Sequence, residues 1–202
     1  MKKITLIFLL ICGYTYSQNL VIESGASLTI EKTGSATVGG NFSNSGTVTM
    51  NSDADEFSAI KISGTANGNI TYNRFVNYAA SGEWDLIGSP VDGLSISAFI
   101  NTNTSGTATL ATNGSAFAVG YYDNSTDTWT NYTTGTVGGA GNFDIGKGYQ
   151  MGTVSGGTQI LAFTGTISSS DETQSVINNN AANSGSGLSL IHISEPTRPE
   201  RI

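Results

Sequence analysis

Ser24-Gly-Ala-Ser-Leu-Thr-Ile30, Thr33-Gly-Ser-Ala-Thr-Val38 and Ser45-Gly-Thr-Val-Thr-Met50 are three renderings of one phrase, a polar turn holding a glycine followed by a strand. Alternation within a phrase, as in Leu28-Thr29-Ile30, sends apolar side chains to one face and hydroxyls to the other. Gly25, Gly34 and Gly46 are expected to supply a positive φ at each corner. Ala59-Ile-Lys-Ile62 and Asn69-Ile-Thr-Tyr72 extend the series, so that strand starts recur every eight to twelve residues between Leu20 and Tyr72. That period fits a β-meander, or narrow coils of a β-solenoid in which each coil buries its apolar residues against its neighbours. Ser, Thr and Asn recur at matching places in successive phrases, which favours the coils.

At Asn77–Gly82 (NYAASG) the repeat stops and the sequence becomes richer in aromatic residues. The expected organisation is therefore a Gly/Thr/Asn-rich β-repeat over 18–76 and a Trp-containing, β-sandwich-like domain over 77–187, all-β throughout. Within the second part, Glu83–Ile87 predicts a strand ended by Gly88-Ser-Pro90, Leu94–Ile100 a short helix, and Asn101–Gly114 a polar loop. Phe117, Val119 and Tyr121 alternate on one face of a strand that turns at Asp123–Asp127 into Thr128–Tyr132. Lys147–Val154 and Thr158–Thr164, separated by Gly156-Gly157, read as another hairpin, and Asp171–Ile177 as a last strand.

The two ends read differently from the middle. Lys2 and Lys3, the apolar run Ile4–Ile11 and the small-x-small site Thr15-Tyr16-Ser17 form a secretory leader over 1–17, with cleavage before Gln18. The run stops at Gly13, short of the roughly 20 apolar residues of a membrane span, and Ile11 stands where lipid attachment at Cys12 would want a small residue. Leu188–Arg198 (LSLIHISEPTR) resembles a translated sequencing-library adapter, so 188–202 is expected to be an artefact tail on a truncated chain. His192, the only histidine, falls in it, and Cys12, the only cysteine, falls in the leader.

Charged residues make up 11% of the chain and Gly contributes 26 of 202 residues, so small polar side chains carry the solubility that charge usually carries. The formal net charge is −7, which opposes nucleic acid and anionic membrane as partners. Discounting the leader and tail removes disulfides, thiolate nucleophiles, histidine metal sites and the serine triad together. The carboxylates Glu83 and Asp85 would share a strand face, but nothing else marks a glycosidase pair. Gly141–Gly148 nearly spells a phosphate-binding loop, yet Gly148 has no hydroxyl for magnesium and a Tyr-Gln-Met strand follows where a helix should. No cofactor is expected. Calcium is the one metal considered, at Asp53, Asp55 and Glu56 and, more weakly, at Asp123 and Asp127.

Tyr121–Trp129 resembles a kelch-blade hairpin, and Ser125–Trp129 faintly resembles the Asp-box turn of some glycosidases, but neither motif recurs. Trp84, Tyr121, Tyr122, Trp129 and Tyr132 are candidates for stacking on a sugar, Trp84 and Trp129 foremost, although as sheet aromatics they are expected first of all in a core.

Ile70–Val76 (ITYNRFV), Glu83–Val91 (EWDLIGSPV) and Gly146-Lys-Gly-Tyr149 resemble the N-terminal part of large secreted surface proteins of flavobacteria and their relatives. The likeness spans Leu20 to about Ile177. It implies a β-repeat before a Trp-containing β domain, a C-terminal sorting domain for type IX secretion, and no catalytic residues. The expected function is that of an exported, noncatalytic surface or adhesion-type structural protein with an extracellular partner or glycan. The alternative is a carbohydrate-binding accessory module of a larger secreted polysaccharide-degrading protein.

Overall fold

The structure, a computed structural model, describes residues 18–79, 84–105, 109–123, 126–169 and 171–173. The expected leader and tail, with Cys12, Glu83 and His192, lie outside the described residues.

The repeated phrases fold as short strands that do not pair with their immediate neighbours in sequence. β1 (Leu20–Ile22), β2 (Ser27–Ile30) and β3 (Ser35–Val38) point into three different sheets, and β4 (Phe42–Asn44), β5 (Thr47–Asn51) and β6 (Ala59–Ile62) repeat the circuit one layer on. β7 (Ala66–Asn67) and β8 (Asn69–Phe75) begin a third layer. All of these pairings are parallel, with Leu20 beside Phe42, Ser27 beside Thr47 and Ser35 beside Ala59. A meander would pair consecutive strands antiparallel. Here the chain winds three strands to a turn and returns to the same sheet after 20 to 24 residues.

The reason for the turn glycines differs from expectation. Gly25 has φ +81°, but at the second corner it is Thr33 that takes positive φ, at 68°. Gly34 and Gly46 lack positive φ and are needed for room: a Cβ on Gly46 would collide with the carbonyls of Glu23 and Ala26 in the layer below.

Stacking aligns like with like. Asn73 Nδ2 donates to Asn51 Oδ1 at 2.9 Å, and Asn51 Nδ2 to Glu31 Oε2 at 2.9 Å. Asn19 and Asn41 do the same task one layer apart, their side-chain oxygens accepting from the backbone N–H of Asn41 and Thr65 at 2.8 and 2.9 Å. Inside, Ile30, Met50 and Tyr72 fall in one row.

That row continues beyond the repeat. β14 (Ile160–Thr166) pairs antiparallel with all seven residues of β8, placing Phe163 beside Tyr72, so the sheet β2-β5-β8-β14 crosses the expected boundary at 76/77. The remaining strands form an antiparallel sheet: β9 (Asp85–Gly88), β10 (Thr112–Asn113), β11 (Ala116–Asp123), β12 (Thr128–Thr133) and β13 (Gly148–Met151), in the order β10-β11-β13-β9 with β12 also on β11. The β11–β12 hairpin stands where the sequence placed it. The hairpin expected of Lys147–Val154 and Thr158–Thr164 does not form: β13 pairs with β9 and β11, β14 with β8, because each finds a longer apolar sheet to extend. Asp171–Thr173 are outside any strand, and the rest of the expected last strand lies outside the described residues.

The single α-helix among the described residues, α1 (Ile96–Thr104), starts where Ser95 Oγ accepts from Ala98 N at 3.1 Å. It runs one turn past the expected Leu94–Ile100, through residues of poor helix propensity. Tertiary contact holds that last turn. Buried Asn103 donates to the carbonyls of Phe99 and Ala162 at 2.9 and 3.0 Å and accepts from Ala162 N at 2.8 Å, closing the free edge of β14. Phe99 meets the rings of Phe143 and Phe163 with centroids 5.2 and 4.6 Å away. One buried cluster thus runs from Ile22 and Ile30 in the wound layers to Phe99, Met151 and Phe163.

Candidate functional site

The acidic turn offers calcium little. Asp53 Oδ1 accepts from the backbone N–H of Asp55 and Glu56 at 3.1 and 2.8 Å, while its other oxygen pairs with Lys32, which also lies 3.4 Å from Glu56. An ammonium already occupies the place where a cation would bridge these two carboxylates. The hydrogen bond and charge of Lys32 hold the Asp53 carboxyl below its usual range, and Asp53 raises Lys32 in return. Among the described residues no group of three or more potential ligands is placed to hold a metal.

The other candidates separate similarly. Asp127, at φ 57°, accepts a hydrogen bond from the Tyr122 hydroxyl, which pushes that phenol's pKa up. Asp85 accepts from Asn77 N and Nδ2 at 2.8 and 2.9 Å, a positioning role for the strand junction. Lys147 of the near phosphate loop lies 5.5 Å from the ring centroids of Tyr121 and Tyr149 and 3.3 Å from Asp144. The chain then enters β13 directly.

The tryptophans are where expectation and structure part most clearly. Trp84 is 38% and Trp129 44% exposed, so neither is core. The antiparallel register explains it. Leu86, Gln150, Gly120 and Asn131 form one row across β9, β13, β11 and β12, and their side chains share the outer face of the sheet. Two residues along, Tyr122 stands opposite Trp129, with ring centroids 5.3 Å apart at 63°. Val119, Tyr149 and Met151, one position out of step, form the buried inner face with Ile87. Trp84 lies two residues before Leu86 and shares with Ala118 and Asn131 a cleft of about 440 Å³.

The outer face is therefore a shallow plane with aromatic ends. Trp84 stands at one corner and the Tyr122–Trp129 pair at the other, roughly 20 Å apart by strand spacing and rise. Between them Gln150 Nε2 donates to Asn131 Oδ1. Gly120 is required beneath this pair, since a Cβ there would collide with the Asn131 side chain and the Thr130 carbonyl. Leu86, at 67%, is the most exposed large apolar side chain among the described residues.

The arrangement is suited to binding. Flat apolar rings cover the apolar face of a planar ligand while side-chain amides meet its hydroxyls. Leu86, Asn131 and Gln150 were missed in the sequence, and Tyr122, a stacking candidate there, was expected first in a core, although assigning Phe117, Val119 and Tyr121 to one face already sends Tyr122 to the other. No family model, curated protein or solved structure matches the chain.

Proposed function

We propose that this chain is a noncatalytic glycan-binding surface protein, exported by the leader at 1–17, in which the wound layers form a stem and the outer face of the antiparallel sheet makes the contact. The observation that carries the reading is the exposure of Trp84, Leu86, Tyr122 and Trp129 on one face around the Asn131–Gln150 amide pair. Isolated exposed hydrophobics are ordinary, whereas several on one face point to a partner. The net charge of −7 favours an uncharged polysaccharide over a sulfated or uronic one. The expected priority is thus reversed: carbohydrate contact becomes the leading reading, and surface attachment of the type IX kind, implied by the flavobacterial resemblance, its setting.

The test is affinity electrophoresis of the wild type, Trp84→Ala and Trp129→Ala in gels containing neutral glucans, xylans, mannans or soluble chitin derivatives. At least one of these glycans should retard the wild type, each variant should weaken the effect by about tenfold or more, a loss of ~1.4 kcal/mol, and melting should barely move. Absence of retardation by every glycan, or a Trp129→Ala stability loss typical of a core aromatic, ~3–5 kcal/mol, removes the reading.

A further inference from the structure

The β11–β12 hairpin has a second recess on its other face, at the rim of the buried core. It has a volume of about 510 Å³, within the ordinary range for small-ligand pockets, and Tyr121, Tyr132, Asn142, Asp144, Lys147 and Tyr149 line it. Tyr132 is only 9% exposed, and its hydroxyl has no hydrogen-bond partner among the described residues. Ser58 Oγ is the one fully enclosed, unpartnered side-chain polar atom among the described residues, so the Tyr132 hydroxyl opens onto the recess. A hydroxyl held at the recess by a mostly buried ring presents a donor and an acceptor to a ligand at a fixed position.

The walls define the chemistry of that ligand. Burial pushes the Tyr132 phenol up to about 12 and also raises Tyr149, so both stay protonated donors at neutral pH. Tyr149 Oη accepts from Asp144 N at 3.0 Å and donates to Asp144 Oδ2 at 3.5 Å, which leaves Tyr132 as the uncommitted phenol of the two. Lys147 and Asp144, 3.3 Å apart, cancel in charge while offering an ammonium donor and a carboxylate acceptor side by side. Tyr121, its centroid 5.5 Å from that of Tyr132, adds an aromatic wall.

From this we infer that the recess between Tyr132, Tyr121 and the Lys147–Asp144 pair is a binding site for one neutral sugar unit, its adjacent hydroxyls bridging Lys147 and Asp144 and a further hydroxyl meeting Tyr132. The recess shares Asn131 with the cleft beside Trp84 but neither tryptophan, and it stands whether or not Trp84 and Trp129 bind glycan. A charged ligand fits it less well, because each wall charge already has its opposite beside it.

The test is NMR titration of the whole protein with glucose, galactose, mannose, N-acetylglucosamine and glucuronate, following the Tyr121, Tyr132 and Lys147 signals, with melting curves for every variant. At least one neutral sugar should give saturable shifts. Tyr132→Phe should weaken it about tenfold, the loss of one well-placed hydrogen bond, while Trp129→Ala leaves it unchanged. Lys147→Met should weaken binding as well, and it decides the matter if Tyr132→Phe proves unstable. The inference is overturned if no neutral sugar saturates these signals, if Tyr132→Phe folds and binds like the wild type, if glucuronate binds tightest, or if Trp129→Ala abolishes the shifts.

Discussion

The wound layers and the antiparallel sheet are built from similar residues but treat their surfaces in opposite ways. In the wound layers several polar side chains meet a counterpart one layer away: Asn51 bonds Asn73, Asn19 and Asn41 repeat one backbone contact, and Thr29, Thr49 and Thr71 fall in one row that Thr164 completes, bonding Thr71 at 2.9 Å. Phe57, itself exposed, has the Arg74 guanidinium 4.2 Å above its ring. The antiparallel sheet leaves two tryptophans, a tyrosine and a leucine open on one face. Parallel stacking uses up hydrogen-bonding capacity internally. An antiparallel sheet with one face on the core keeps the other available. The proposed stem and contact face rest on that difference.

The comparison breaks most sharply if the two regions prove energetically separate. Phe163 is fully buried between them, beside Tyr72 on one side and packed on Phe99 and Phe143 on the other. Phe163→Ala should cost ~3–5 kcal/mol. Both tryptophans lie in the second region, so their fluorescence reports it alone, while far-ultraviolet circular dichroism reports all strands. Denaturant transitions by the two probes should coincide and shift together; a fluorescence transition that moves alone would show two independent units.

A smaller effect is expected at the free edge of β14. Asn103→Ala removes three hydrogen bonds and leaves the Ala162 N–H and carbonyl without their partner, for a loss of roughly 2–3 kcal/mol. Hydrogen exchange should rise at Ala162 while Asn51 and Asn73 keep their protection. Unchanged exchange at Ala162 would mean that the edge is held by something other than this side chain.

What was legible in the sequence divides along the same line. The strands of the repeat could be read because period-2 alternation and turn residues are local signals. Their partners could not, since Ser27 pairs with Thr47 and Ser35 with Ala59, skipping the phrase between. The β11–β12 hairpin was legible because its turn is short. β13 and β14 were not, because two adjacent apolar runs around a Gly-Gly look like a hairpin until distant sheets compete for them. The tryptophans failed for a related reason: alternation says that residues share a face, while only the packing of Phe99, Phe143 and Tyr149 against the opposite face decides which one is wet. Asn103 carried no signal at all beyond a polar residue near a helix end.

The smallest expected effect concerns the Lys32–Asp53 pair, the charged counterpart of the self-satisfied ladders. Its Asp53 carboxyl is held down in the folded chain, chiefly by the hydrogen bond from Lys32 and then by the N–H groups of Glu56 and Asp55. A depressed folded value means that its contribution is present above the unfolded carboxyl value, about 3.9, and is lost as pH falls through the folded value. Lys32 behaves in the mirror sense: raised by Asp53, its contribution is present below about 10.4 and is lost as pH rises through its folded value. Both groups are solvent-exposed, so stability should change little across either window. The informative measurement is therefore direct, by NMR titration of the side-chain carboxyl. Asp53 should titrate below the ordinary aspartate range and move back toward it in Lys32→Met, and the wild type should show no saturable calcium shift at Asp53 or Glu56. An Asp53 midpoint indifferent to Lys32, or calcium displacing Lys32 at low millimolar concentration, would make this turn a second exposed binding surface and erase the contrast between the wound layers and the sheet.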